Sequence, residues 1–198
     1  MRDVIDGNEV SGKEQDIQEV RNAWKAYELR QDADPYDLSQ LQKVHAIMMD
    51  GLVDESGRFR KGEEGVFESG QCIFIAPPAR FVPQFMEDLF FWMKENRRAV
   101  HPLILSSIFH YEFAFIHPFS DGNGWMARLW QRALLETWDP LFQFISLESA
   151  IAQHQQDYYA AIAASHRTGQ STLFIEFMLE MIELSIEDEL EDMKKGTS

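Results

Sequence analysis

The sequence predicts an all-α protein that carries one small β-hairpin. Three observations lead there. Apolar residues recur at three- and four-residue spacing over most of the chain. A single stretch near residues 54–80 breaks that period with glycines and β-favouring side chains. The 198 residues, 45% of them hydrophobic, suffice for one sizeable core and do not require a second.

Taken in order, residues 13–30 (KEQDIQEVRNAWKAYELR) place Ile17, Val20, Trp24 and Tyr27 on one stripe, which predicts an amphipathic helix facing the core. The next helix puts Leu38, Leu41, Val44, His45 and Met48 on a second stripe. In DESGRFRKGEEGVFESGQCIFIAPPAR, Gly57, Gly62, Gly65 and Gly70 punctuate a segment in which Val66, Phe67, Cys72, Ile73, Phe74 and Ile75 favour strands, so a hairpin is expected before Pro77 and Pro78. A helical pattern returns from Val82 to Lys94. HPLILSSIFHYEFAFI (101–116) is apolar around most of its circumference, as a helix through the middle of a bundle should be. Beyond residue 122, Met126, Leu129, Trp130, Ala133 and Leu134 form an apolar stripe. Further helices are expected over about 147–165 and from near Thr172 into the acidic EDELEDMKK tail.

The net charge of −15, from 33 acidic and 18 basic residues, opposes nonspecific binding to nucleic acid or to an anionic membrane, since both need a positive field. With Cys72 as the only cysteine, no intramolecular disulfide forms, and the composition suits a reducing compartment. No apolar run approaches a membrane span, so the expected location is cytoplasmic. Self-association is left open.

Chemistry concentrates in HPFSDGNGWMARLW (117–130). Pro118 disfavours a helical conformation at His117, so the apolar helix should end there with its imidazole at the tip. Gly122 and Gly124 let a ligand oxygen approach the backbone, and the free amides opening the next helix make an anion site suited to phosphate. Trp125, Arg128 and Arg132 share a face of that helix, where Arg128 can take phosphate oxygens in bidentate fashion. Asp121 stands four residues from His117, placed to share a magnesium ion with bound phosphates. The imidazole is left for proton transfer.

HPFSDGNGWMAR resembles the Fic family signature HxFx(D/E)GNGRxxR, matching at His117, Phe119, Asp121, Gly122, Asn123, Gly124 and Arg128 and departing at Trp125. LQKVHAIMMDGLVDESGRFR is similar to the family's helix and G-x-x-R approach to its flap. CIFIAPPARFVPQFMEDL resembles the flap and the helix after it, and HPLILSSIFHYEFAFIHPF the central helix. The resemblance implies a Fic-fold helical bundle with a β-hairpin flap over 38–198, its core at about 38–180. An N-terminal helical segment at 1–37 would precede it. The implied activity is transfer of AMP from ATP, with Mg²⁺, to a Ser, Thr or Tyr hydroxyl of a target protein. On that resemblance His117 is the general base and Asp121 the Mg²⁺ ligand. Gly122, Asn123 and Gly124 cradle phosphates, Arg128 takes the terminal phosphate, and Phe119 is a buried anchor. Val66, Phe67, Cys72, Ile73 and Phe74 belong to a flap that registers the target's backbone by β-augmentation.

Some positions keep two readings. Tyr158 and Tyr159 resemble a pair that lies near the adenine pocket in relatives, yet aromatics at this spacing also suit a core. His45, His101, His110, His154 and His166 show no metal-ligand spacing and are read as structural. Relatives carry an inhibitory helix, (S/T)xxxE(G/N), whose glutamate pairs with the motif's second arginine. Here Asp6-Gly7 fits its end with a shorter carboxylate and Arg2 stands at the Ser/Thr position, so the segment is either a degenerate inhibitory element or a plain turn. At Trp125, where relatives hold a phosphate-binding arginine, an indole has one donor and no charge. AMP transfer is therefore expected to be weak, with a silent nucleotide- or protein-binding module, removal of AMP, or transfer of another phosphate-containing group as the alternatives.

Overall fold

The computed structural model describes residues 13–68 and 71–196; at 66–68 and 71–73 only the backbone is described. Asp6 lies outside the described residues. The described residues form eight α-helices and one two-stranded sheet: α1 (Glu14–Gln31), α2 (Leu38–Met48), β1 (Gly65–Glu68), β2 (Gln71–Ile75), α3 (Val82–Asn96), α4 (Pro102–Ile116), α5 (Asn123–Trp138), α6 (Leu147–Gln153), α7 (Gln155–Thr168) and α8 (Thr172–Gly196). The predicted all-α class with one hairpin is what the chain adopts. Local chemistry marks the boundaries. Asp37 caps α2 by accepting the Ser39 amide at 2.8 Å, and Pro102 occupies the first turn of α4 behind His101. Gly169, at φ 66°, closes α7.

The central helix α4 is buried by α3, α5 and α8, which is why it reads as apolar on every side. It separates two apolar clusters. Phe109, Phe113 and Ile116 enter one, with α1, α2, α3 and α5; Tyr111 enters the other, with α6, α7, α8 and Phe74 of β2. At their junction a buried polar network runs from Gln131 through His110 to Tyr158. Trp130 is fully buried, and its indole donates to the Pro35 carbonyl at 2.9 Å. Arg30, also buried, pairs with Glu136 at 2.6 Å, and Arg132 joins the same carboxylate at 2.9 Å. The strands pair antiparallel, with an irregularity between Val66 and Phe67.

Two expectations need correction. The helix expected over about 147–165 is divided at His154 into α6 and α7. On α1 the stripe of Ile17, Val20, Trp24 and Tyr27 is only partly the packed face: Tyr27 lies half-buried against the core. The buried residues are Asn22, Ala26 and Arg30, while Trp24 is 46% exposed. Val20, Trp24 and Tyr27 line a cavity instead.

Candidate active site

Helix α4 ends where Pro118 forbids its continuation, and His117 turns left-handed at φ 49° and ψ 62°. It is the only non-glycine residue with positive φ among the described residues, a conformation that costs roughly 1–2 kcal/mol. Arg60 holds it there. The buried Arg60 guanidinium donates to the carbonyls of His117 at 2.7 Å, Ile116 at 3.3 Å, Gly62 at 2.7 Å and Pro77 at 2.6 Å, and its backbone N–H donates to Pro118 O at 2.9 Å. One cation thus ties the end of α4, the loop and the flap approach together through neutral acceptors.

The rest of the loop closes on itself. Phe119 is fully buried and stacks on His45 with ring centroids 3.6 Å apart. Asn123 grips the Phe119 backbone from both ends of its carboxamide, accepting from N–H at 2.9 Å and donating to O at 2.7 Å. Its side chain is therefore a clasp for the loop, and the expected phosphate contacts fall to the backbone. Gly122 caps α5 at φ 77°, a conformation that strains any side chain, and a Cβ there would also press on Met49 Sδ at 2.8 Å. Met126 N–H is the first of α5 to find an intrahelical acceptor, Gly122 O, so the amides of residues 123–125 point out of the helix with no side-chain cap. Open amides at a helix start, with the positive end of the α5 dipole behind them, are the arrangement that suits an anion.

A cavity of about 330 Å³ opens over these amides, lined by His117, Asp121, Gly122, Asn123, Gly124 and Trp125 of the loop, and by Glu19 of α1. Burial, helped by the Arg60 guanidinium, pulls the His117 imidazole down to about 4, against the raising influence of the Ala114 carbonyl and Asp121. At neutral pH it is uncharged and able to accept a proton. Asp121 is exposed and accepts the Gly122 N–H at 2.7 Å. Among the described residues no three His, Cys, Asp or Glu side chains gather to hold a metal. A single exposed carboxylate beside an anion site suits a magnesium ion shared with phosphates, a mode in which the protein contributes one or two carboxylates.

A second cavity, of about 750 Å³, is lined by Val20, Trp24, Tyr27, Trp125, Arg128, Tyr158 and Tyr159, among others, and touches neither His117 nor Asp121. Though larger, it is mainly apolar; the smaller one carries the polar chemistry. Trp125 and Glu19 line both cavities and stand between them. Trp125 is 43% exposed, so it does not pack down as a closed lid. The expected partners therefore divide. His117, Asp121 and the 122–124 backbone converge on the loop cavity, while Arg128 faces the larger one, bending back over Gly124. Among the described residues Arg128 makes no hydrogen bond or ion pair. Arg132 is spent on Glu136 and the Gln143 carbonyl. Tyr158 is a buried core residue bonded to His110, and Tyr159 crosses its ring edge-on. Of the flap residues, Phe74 is buried against Phe115 and His166, so it contributes backbone rather than a side chain to any docking strand. Ile75 is exposed beside it.

Three contributors were invisible to pattern reading. Glu19 sits on the polar side of an ordinary helical pattern. Arg60 belongs to the G-x-x-R stretch, but nothing in that spacing says where the guanidinium ends. His45 is structural, as its spacing implies, but nothing in the sequence places it directly beneath the loop, bonded to Asp121 O at 3.0 Å.

A sequence profile of the Fic/DOC family matches residues 35–135. Among curated relatives, protein adenylyltransferase Fic of Nematostella vectensis is 26% identical over 136 residues, covering 68% of this chain and 30% of the relative. Protein adenylyltransferase fic-1 of Caenorhabditis elegans is 24% identical over 178 residues, covering 85% and 32%. The chain thus spans about a third of the length of these relatives. A crystal structure of a Fic family protein from Desulfovibrio desulfuricans superposes with a TM-score of 0.90 at 43% identity, over 96% of this chain and 58% of that one.

Proposed function

The chain belongs to the Fic/DOC family, and from that premise we propose that it transfers AMP from ATP to a hydroxyl side chain of a protein target. The observation that carries this reading is the loop cavity, where a neutral His117 stands with Asp121 beside the open amides of residues 123–125. The amides and the α5 dipole take the phosphates. The target hydroxyl gives its proton to the His117 imidazole as its oxygen bonds to the α-phosphorus. The bond from that phosphorus to the bridging oxygen breaks, and pyrophosphate leaves. Asp121 would hold Mg²⁺, which neutralises charge on the phosphate oxygens. Arg128 makes no hydrogen bond or ion pair among the described residues and is the cation for the distal phosphate. Tyr159 supplies an aromatic wall for the base. A strand of the target pairs with the hairpin edge, which fixes the distance between its hydroxyl and His117.

Trp125 favours a second reading, a module that binds nucleotide and transfers it slowly or not at all. An indole where relatives carry an arginine removes a charge-assisted contact and fills the space between the loop cavity and Arg128. Incubation of the full chain and a cell lysate with ATP labelled at the α- or the γ-phosphate separates these readings. Label from the α position alone marks AMP transfer. Label from the γ position alone marks a kinase and sinks the proposal. Calorimetric binding of ATP without label in any protein supports the silent module.

A further inference from the structure

His45 projects from α2 into the underside of the 117–124 loop and is fully buried. Its Nδ1 lies 2.9 Å from the Gly57 backbone N–H and its Nε2 lies 3.0 Å from the Asp121 carbonyl oxygen. A backbone amide can only donate and a carbonyl can only accept. Nδ1 must therefore be bare and Nε2 must carry the proton, so both contacts are satisfied by one neutral tautomer. Stacking on Phe119 at 9° between ring planes holds the imidazole against rotation. Gly57 is itself placed for this contact: at φ 71°, with a Cβ position only 2.6 Å from Ala46 Cβ, the chain passes too close to α2 for any side chain.

The consequence lies on the other side of the Asp121–Gly122 peptide. In a trans peptide the C=O and the following N–H point in opposite directions. With the Asp121 carbonyl drawn down onto His45, the Gly122 N–H must face up, where Asp121 Oδ1 meets it at 2.7 Å. Gly122 has no Cβ and a left-handed φ, so this peptide plane has little intrinsic resistance to reversal. Reversed, it would present a carbonyl oxygen to the anion cavity in place of a donor.

We infer that His45 is a positioning residue: through its Nε2–H bond it sets the Asp121–Gly122 peptide so that the Gly122 amide, which holds Asp121 Oδ1, and not the Asp121 carbonyl, faces the bound phosphates beside the amides of residues 123–125. This rests on the nucleotide reading of the site. Arg60 secures the start of the loop through the Ile116, His117 and Pro118 backbone, and His45 secures its end. Both lie outside the motif they serve.

Two variants of the full chain test the assignment. His45→Phe keeps a ring for Phe119 and removes both hydrogen bonds. His45→Gln restores one acceptor and one donor on a carboxamide. Calorimetry with Mg·ATP and with adenosine should show ATP binding about tenfold weaker in H45F, the loss of one charge-assisted hydrogen bond, with adenosine unchanged and ATP affinity partly recovered in H45Q. Equal losses for ATP and adenosine, or ATP affinity in H45F like that of the parent, overturn the positioning role. If the parent itself binds no ATP, the nucleotide reading falls, and a crystal structure of H45F decides the present point alone. An Asp121 carbonyl turned into the cavity upholds it, and an unchanged peptide plane defeats it. Should H45F not fold, nitrogen-15 NMR of the parent imidazole serves: protonation at Nε2 is required, and protonation at Nδ1 ends the proposal.

Discussion

The two sides of the 117–124 loop are built on opposite principles. Beneath it, His45, Arg60, Phe119 and Asn123 are buried, and every hydrogen bond just described from them ends on backbone. Above it, Trp24 and Trp125 are 46% and 43% exposed, and Arg128 makes no hydrogen bond or ion pair among the described residues. The lower side is complete without a ligand and the upper side is not. A site that must hold a strained histidine and a row of outward amides needs a rigid floor, and it needs unspent groups where the substrate arrives.

His117 lies on the seam between the two sides and should give the largest effect. His117→Ala is expected to lower AMP transfer by about 10²- to 10⁴-fold while ATP affinity and fold persist, because in the proposed reaction the imidazole acts on the target hydroxyl. Undiminished transfer by this variant, followed with α-labelled ATP, would remove it from the mechanism. Breaking the floor comes next. Arg60→Ala strips donors from the carbonyls of His117, Ile116, Gly62 and Pro77 and should cost on the order of 3 kcal/mol in urea unfolding. Arg60→Lys should fall between, since an ammonium cannot span the same set.

Altering the upper side should change function with little change in stability. Trp125→Arg is expected to raise the transfer rate by about one to two orders of magnitude, the worth of a charge-assisted phosphate contact of roughly 1.5–3 kcal/mol. A folded variant that transfers no faster would place the limiting defect elsewhere and favour the silent module.

Acid separates the core from the site by titration. Burial lowers His110 to about 3 and His117 to about 4, both from 6.5. The unfolded chain binds these protons first, so their stabilisation is full above about pH 6.5 and is lost as pH falls towards those values. For His110, going from pH 6.5 to pH 5 should remove about 2 kcal/mol, and His110→Asn should flatten that slope. Bound ATP, being an anion, should raise the His117 pKa, visible by NMR, and leave that of His110 nearly unmoved.

The smallest effect sharpens the contrast most directly. Trp24→Ala, on the cavity wall, should cost less than about 1 kcal/mol of stability, whereas Trp130→Ala in the core should cost about 3–5 kcal/mol. Comparable losses would mean that the α1 stripe is core after all.

Much of this was legible from residue order alone. The period of α4, the stop at His117-Pro118 and the open amides after Gly122 are consequences of local sterics and of side chains a few residues apart, so the chain declares them before it folds. The α1 stripe shows where that ends. Periodicity told that Val20, Trp24 and Tyr27 share a face, but an apolar face looks the same whether protein or a cavity lies opposite. Asn123 was assigned to phosphate, and only the folded loop showed its carboxamide spent on Phe119. His45 stands 76 residues from Asp121 and Arg60 stands 57 from His117. Hydrogen bonds of that span are made by tertiary packing, which brings α2 and the G-x-x-R segment under the loop. The chemistry the site can attempt was written in residues 117–128, and the geometry that holds it in place was decided by parts of the chain far from them.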